Sequence, residues 1–158
     1  MKGHNGKAVA TTYQHGQVTH ADPVQLIVML YDGALSRIAQ ARQRFLEGDK
    51  VYGGIAVARA QAIIAELRKS LNLEEGKDIA ANLDRLYQYI YDVLVKSLLE
   101  HRTEPLDEAA RVLNELRGAW AEVAKQCKEV LETMSTQQSP SAAPDPPPPA
   151  PARLAVRI

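Results

Sequence analysis

The sequence is poor in cysteine, in net charge and in long apolar runs. Cys127 is the only cysteine, so no disulfide can form within the chain, as is usual in a reducing compartment. The 19 basic residues balance the 19 acidic residues, which leaves no global field to attract nucleic acid or an anionic membrane. No apolar run approaches the roughly 20 residues that span a bilayer, and the N-terminus lacks the apolar core of a signal peptide. We therefore expect a cytoplasmic protein that neither inserts into membranes nor binds nucleic acid.

The sequence also lacks the residue patterns of catalytic and metal sites. His4, His15 and His20 precede the helical region and His101 ends a predicted helix, so no helix interior carries a histidine. This argues against a histidine phosphotransfer bundle and against a di-iron bundle, which needs inward Glu-x-x-His pairs. No glycine-rich phosphate loop, zinc-ligand spacing or Gly-x-Ser-x-Gly elbow occurs. Cys127 falls on an apolar heptad, where a thiol usually packs as a small hydrophobic group. We predict a protein that is not an enzyme and that needs no metal or cofactor.

Composition divides the chain into three parts. Residues 1–21 are polar and contain three of the four histidines, which predicts a flexible N-terminal arm. Residues 135–158 include the stretch PDPPPPAPA, whose prolines lack backbone donors and favour an extended, disordered tail. Residues 22–134 show helical periodicity with short breaks at EGDK, NLEEGK and HRTEP. The predicted helices span residues 23–47, 51–72, 77–101 and 105–134.

Apolar residues recur at alternating steps of three and four in the predicted helices. This heptad spacing favours shallow crossing angles, and the short connections make neighbouring helices antiparallel. The sequence therefore predicts an all-α fold, an antiparallel up-down-up-down four-helix bundle. The predicted core positions are Val24, Ile27, Tyr31, Ala34, Ile38, Ala41 and Phe45 in the first helix, Ala56, Ala60, Ile63 and Leu67 in the second, Ile79, Leu83, Leu86, Ile90, Val93 and Ser97 in the third, and Leu106, Ala109, Leu113, Leu116, Trp120, Val123, Cys127, Val130 and Met134 in the fourth.

The first predicted helix carries a second apolar stripe beside its core positions. On a helical wheel of about 100° per residue, Leu26, Met29, Leu30 and Gly33 share a separate face. Leaving the large side chains in water would forgo roughly 1.5–3 kcal/mol each relative to burial, which indicates a covering partner. The third helix has a similarly broad apolar face, formed by Tyr87, Tyr91, Leu94, Val95 and Leu98. A broad face also suits a central helix that touches three neighbours of its own bundle, so both interpretations stand.

One stretch of the sequence resembles a known protein family. Residues 13–35 read YQHGQVTHADPVQLIVMLYDGAL, with a Tyr-Gln arm, a proline at a helix start and the run MLYDGA. This combination resembles the signature of the flagellar secretion chaperone family, FliS. The likeness continues through NLDRLYQYI at residues 82–90 and LNELRGAW at residues 113–120, at the relative spacing of the family. Asp22 stands where the family usually has serine, and an aspartate also caps a helix.

The resemblance implies a non-enzymatic export chaperone. Such a protein binds the C-terminal segment of flagellin, prevents its premature polymerisation and assists its delivery to a component of the flagellar type III export gate. The flagellin segment would lie as amphipathic helices in apolar grooves of the bundle. An alternative is a structural or regulatory bundle that forms a homodimer through the second stripe and has no flagellin client. The residues expected to contact the partner are Tyr13, Val18, Leu26, Met29, Leu30, Gly33, Tyr87, Tyr91 and Leu98.

Overall fold

Four helices make up the part of the chain that the computed structural model describes, which is residues 22–137. They are α1 (Pro23–Leu46), α2 (Lys50–Lys69), α3 (Leu73–Glu100) and α4 (Glu104–Gln137). No strand occurs within residues 22–137, and the all-α prediction is confirmed. The predicted arm at residues 1–21 lies outside the described residues, as does the predicted tail beyond residue 137.

Side chains just ahead of three helices cap their starts. Asp22 Oδ1 accepts a hydrogen bond from the Val24 N–H at 3.1 Å, ahead of the proline that begins α1. Asp49 and Asn72 cap α2 and α3 by accepting from the backbone N–H three residues further on. Each cap satisfies a donor that a helix start leaves unpaired, which is typically worth about 1 kcal/mol. These caps therefore help to set where α1, α2 and α3 begin.

Contacts of α1 with α3 and α4 define the direction of these helices. The Tyr31 ring lies 6.4 Å from the Tyr87 ring, and the Phe45 ring lies 5.8 Å from the His101 ring, between centroids. Residue numbers therefore rise together along α1 and α3, which run parallel. Ion pairs join Asp32 to Arg117 and Arg42 to Asp107, so residue numbers fall along α4 as they rise along α1. The helices α1 and α4 are thus antiparallel.

Two glycines lie where α1 and α2 meet, and at Gly53 the approach is too close for a side chain. A Cβ atom at Gly53 of α2 would overlap the Phe45 ring of α1, and a Cβ at Gly33 of α1 would lie 3.4 Å from Ile63 Cδ1 of α2. Because Gly53 is near Phe45 and Ile63 is near Gly33, the two helices run antiparallel. Together with the contacts of α3 and α4, this arrangement confirms the up-down-up-down bundle.

The core of the bundle follows the predicted positions closely in α1 and α2. Tyr31 and Ile38 of α1 pack with Ala60 and Leu67 of α2, and all four are buried as predicted. Ile27, Phe45 and Ile63 are half-buried at the edge of this core. The period of the apolar residues therefore predicts the inner faces of these two helices.

The helix α3 buries Ile90, Val93 and Ser97 as predicted, but two other predicted core positions face outward. Ile79 is 74% exposed and Leu86 is also exposed, whereas Ala80, Tyr87 and Leu94 are buried. Apolar residues cover so much of the circumference of α3 that its periodicity fits two adjacent faces. Packing of Tyr87 against Tyr31 selects one of them, so the assignments of Ile79 and Leu86 to the core are wrong.

The helix α4 contributes to the core only along its first part. Leu106, Ala109 and Leu113 are buried as predicted, whereas Val130 and Met134 are exposed, so their assignment to the core is wrong. By their contacts the described residues fall into two units, 22–124 and 125–137, and the boundary lies within α4. The bundle core described above belongs to the first of these units.

Candidate partner-binding surface

The second stripe of α1 is only partly exposed. Met29 is 50% exposed, whereas Leu26 and Leu30 are half-buried and Leu30 packs against the core. Gly33 is half-buried, and the group closest to it from another helix is the Ile63 side chain of α2. The side of α1 at Gly33 therefore faces α2 of the same bundle. Met29 is the member of this stripe that offers the most free surface.

The broad face of α3 is divided between the core and the neighbour α2. Tyr87 is 1% exposed and its ring packs on Tyr31, so this part of the broad face meets a neighbour within the bundle. Leu98 is half-buried, and a Cβ at Gly54 of α2 would lie 3.6 Å from Leu98 Cδ2. Tyr91 lies two turns before Leu98 on the same side of the helix and is exposed. Tyr91 and Leu98 therefore line the side of α3 that faces α2.

The sequence did not predict an apolar cleft at one end of the bundle. The cleft has a volume of about 360 Å³ and lies where the start of α1 and the α2–α3 connection meet α4. Its apolar lining includes Ile27, Leu71, Ile79, Leu83 and Trp120, and Glu75 is its only charged lining residue among residues 22–137. The volume falls within the range of about 300–1,000 Å³ that is usual for ligand sites. Ile27 and Trp120 are predicted core positions, but in the last layer of a bundle a core residue is covered on one side only.

Two tyrosine hydroxyls lie beneath this cleft. Tyr31 is fully buried, Tyr87 lines the cleft, and their hydroxyl oxygens are 2.6 Å apart. Burial is the largest cause that raises the pKa of both hydroxyls above the ordinary value for tyrosine. Both side chains therefore stay neutral at physiological pH, and one donates a hydrogen bond to the other.

The rim of the cleft includes a break in the helix α3. Lys77 has φ 46° and ψ −124°, a conformation that side chains other than glycine rarely adopt and that costs about 1–3 kcal/mol. The preceding residue, Gly76, lines the cleft, and a Cβ there would lie 2.6 Å from the Cβ of Ala80. The predicted helix start at residue 77 coincides with this break, although a helical turn precedes it. The break at Gly76 and Lys77 thus separates the first turn of α3, which forms part of the rim, from the rest of the helix.

The motifs MLYDGA in α1 and LNELRGAW in α4 contact each other. Asp32 of the first motif accepts hydrogen bonds from the guanidinium of Arg117 in the second. The carboxylate raises the pKa of Arg117, chiefly through this hydrogen bond. Tyr31 of the first motif lies beneath the cleft, and Trp120 of the second motif lines it. The motif residues therefore serve to join α1 to α4 at this end of the bundle.

Similarity to known proteins identifies the family. Residues 5–127 match the family described as Flagellar protein FliS. The chain belongs to this family. It is 39% identical over 104 residues to flagellar secretion chaperone FliSB of Pseudomonas aeruginosa. The aligned residues make up 66% of this chain and 82% of that relative. It is 35% identical over 119 residues to flagellar secretion chaperone FliS of Salmonella typhimurium, covering 75% and 88% of the two chains. The flagellar secretion chaperone FliS of Bacillus subtilis is 33% identical over 110 residues, which are 70% of this chain and 81% of that relative.

Membership of the FliS family confirms the resemblance drawn from the motifs. The matched region contains the whole bundle core and ends at residue 127, so the proline-rich stretch lies beyond it. These relatives are named secretion chaperones rather than enzymes. In residues 22–137 no cluster of His, Cys, Asp and Glu is arranged to hold a metal ion. None of the described helices combines the length and apolar character that spanning a bilayer requires.

Proposed function

We propose that this FliS-family protein binds the C-terminal segment of flagellin in the cytoplasm, prevents its premature polymerisation and assists its delivery to a component of the flagellar export gate. The observation that carries the proposal is the open apolar cleft, whose lining lies within the region that matches the family. An open apolar cleft on a secretion chaperone is suited to a client that exposes apolar side chains. The proposal needs no catalytic group, because a holding chaperone acts by binding alone.

Helix-in-groove binding accounts for how such a client is held. A disordered segment that folds on binding loses conformational entropy, which offsets part of the energy of its contacts. Each large apolar side chain that it buries contributes roughly 1.5–3 kcal/mol. Several anchors are therefore needed, and the cleft, Leu26, Met29 and Leu30 of α1, and Tyr91 and Leu98 of α3 supply candidate positions for them. While held in this way, the segment is not available to pair with other flagellin molecules.

The position of Ile79 allows a direct test of the cleft. Ile79 lines the cleft and is 74% exposed, so Ile79→Glu places a charge in the site with little effect on folding. Leu99 lies on the same helix, is 78% exposed and does not line the cleft, so Leu99→Glu is the matched control. Calorimetric titration with the flagellin C-terminal segment should show affinity reduced more than tenfold by Ile79→Glu and within about twofold of wild type for Leu99→Glu.

Full-length flagellin and flagellin without its C-terminal segment provide the second comparison. Pull-down by the wild-type protein should recover the first and not the second. Equal recovery of both would contradict the proposal. Analytical ultracentrifugation then addresses the alternative homodimer: a tight dimer that the segment neither binds nor changes would favour self-association as the role of the apolar surface.

A further inference from the structure

The second stripe of α1 continues into basic and polar residues on the same face of the helix. Positions on this face recur at steps of four and three residues, and they are Leu26, Leu30, Gly33, Arg37, Gln40 and Arg44. At about 100° per residue they stay within one sector of the helical wheel. The face is therefore apolar near the start of α1 and basic near its end. At a rise of 1.5 Å per residue, Leu26 and Arg44 are about 27 Å apart along the helix axis.

The basic end of this face forms one wall of a pocket between α1 and α2. The pocket has a volume of about 230 Å³. Its lining residues within 22–137 are Gln40, Arg44, Tyr52, Ile55, Ala56 and Arg59. Two of these residues carry a guanidinium, none is acidic, and the contribution of α2 is partly apolar. The volume is below the range of about 300–1,000 Å³ that is usual for small-molecule sites, so the pocket suits one charged group of a larger partner.

Contacts within the pocket hold its donors in position. The guanidinium carbon of Arg44 lies 5.7 Å from the centre of the Tyr52 ring and over its face, a stabilising cation–π contact. Gln40 Oε1 accepts a hydrogen bond from Arg37 Nη1 at 3.1 Å, so the amide N–H₂ of Gln40 is the end that can donate to a ligand. Side chains that are already ordered lose less entropy when a ligand binds.

Two carboxylates near Arg44 leave the pocket open to an anion. Glu47 and Asp49 lie 3.6 and 3.8 Å from Arg44 Nη1, which is beyond hydrogen-bond distance. Glu47 accepts instead from the Gln43 side chain, and Asp49 accepts from the Tyr52 N–H. Neither carboxylate lines the pocket. A guanidinium has five N–H donors, so Arg44 can still bind an oxyanion closely.

We propose that this pocket binds the terminal carboxylate of the flagellin segment, and that the last helix of the segment lies along the second stripe and runs parallel to α1. The inference rests on the proposed function: a C-terminal segment ends in a carboxylate whatever its sequence. The planar guanidinium fork of arginine matches a carboxylate, and the apolar part of the lining accommodates the last side chain. The negative end of the partner's helix dipole also lies near the two arginines. Apolar side chains earlier in the segment then lie on Leu26, Met29 and Leu30.

Amidation of the segment's terminus tests the proposal without changing the chaperone. The free acid and the amide have the same sequence and nearly the same size, but only the acid carries the terminal charge. Calorimetric titration of the full-length protein at low ionic strength should show the free acid bound about five- to tenfold more tightly, the usual effect of a lost charged hydrogen bond at a partly exposed site. High salt should reduce this preference, because the Arg44 side chain is 52% exposed.

Arginine variants test whether the pocket is where the terminus binds. Arg59→Gln should reduce the preference for the free acid to about twofold or less and leave the affinity for the amide unchanged. Arg111→Gln removes the same charge from α4, at an exposed residue that lines neither the pocket nor the cleft, so the full preference should remain. Arg59 is exposed as well, and urea unfolding of both variants is the control for folding.

Each outcome bears on one of the two proposals. Equal binding of the acid and the amide by the wild-type protein would overturn the inference and leave the proposed function standing. An Arg59→Gln protein that keeps the full preference would do the same, since the terminus would then bind elsewhere. So would a loss of affinity for both peptides alike, because the carboxylate would then belong to an acidic side chain. Absence of binding of either peptide by the wild-type protein would overturn the proposed function, and this inference with it.

Discussion

The contact between Gly53 and Phe45 makes Gly53→Ala a sensitive test of the bundle's packing. A Cβ at residue 53 would overlap the edge of the Phe45 ring and would approach Arg44 Cβ to 3.4 Å. The Phe45 ring cannot move without cost, because it also makes an edge contact with the His101 ring. Either that contact is lost or α1 and α2 move apart. The added methyl group should therefore destabilise the fold, although alanine is the better helix former.

The expected size follows from two opposing effects. Replacing a helix glycine by alanine gains up to about 1 kcal/mol, whereas overpacking a tight contact costs about 1–3 kcal/mol, so Gly53→Ala should lose about 0–2 kcal/mol. Gly118 of α4 is the matched control. Apart from its own stretch of helix, no heavy atom of the described residues would lie within 4 Å of a Cβ there. Gly118→Ala should therefore gain up to about 1 kcal/mol from helix propensity alone. The free energies of unfolding of the two variants should differ by about 1–3 kcal/mol.

Urea unfolding followed by circular dichroism measures this difference through the midpoints of the two variants. Similar urea slopes would show that both variants unfold from comparably compact states. If Gly53→Ala proves as stable as Gly118→Ala, the close approach of α1 and α2 at this point does not exist in solution.

Three further changes address the surface and the chain ends. Met29→Glu should weaken binding of the flagellin segment more than tenfold in calorimetry while the melting temperature changes by a few degrees at most, because this side chain is half exposed. Truncation after Ser135 should leave that affinity unchanged; loss of binding would show that the tail takes part. Tyr13→Ala should raise the association rate several-fold in stopped-flow experiments if the N-terminal arm covers the client surface, since an occupied groove lowers the fraction of competent molecules. A lower affinity with unchanged self-association would mean that Tyr13 contacts the client directly.

Much of the inner faces of α1 and α2 could be predicted from the heptad spacing, although Val57 and Ile64 of α2 are buried outside the predicted positions. Tyr31, Ile38 and Leu67 illustrate this, as all three are buried where the heptad spacing puts them. In α3 the apolar face is too wide for periodicity to choose between Leu86 and Tyr87. That choice depends on which helix lies opposite, and here Tyr31 decides it.

The candidate site was harder to predict than the fold, because a cleft is formed by the ends of several helices. Ile27 and Trp120 are 93 positions apart in the sequence, and nothing in the local pattern of either indicates an open end layer. Gly33 shows a second limit of prediction from sequence. A helical glycine indicates a close approach, but the sequence does not say whether the approaching helix belongs to the same molecule, and here it is α2.

The break at Lys77 has a consequence for local opening of the chain. The turn before the break is closed by the bond from the Gly76 N–H to the Asn72 carbonyl, at 2.8 Å, and by the Asn72 cap. Because the break interrupts helical cooperativity, this turn can open without unwinding the residues that follow it. Amide protons of residues 73–76 should therefore exchange with deuterium far faster than those around Ile90 and Leu94. The rim of the cleft can then change its shape while Tyr31 and Tyr87 beneath the cleft stay in place.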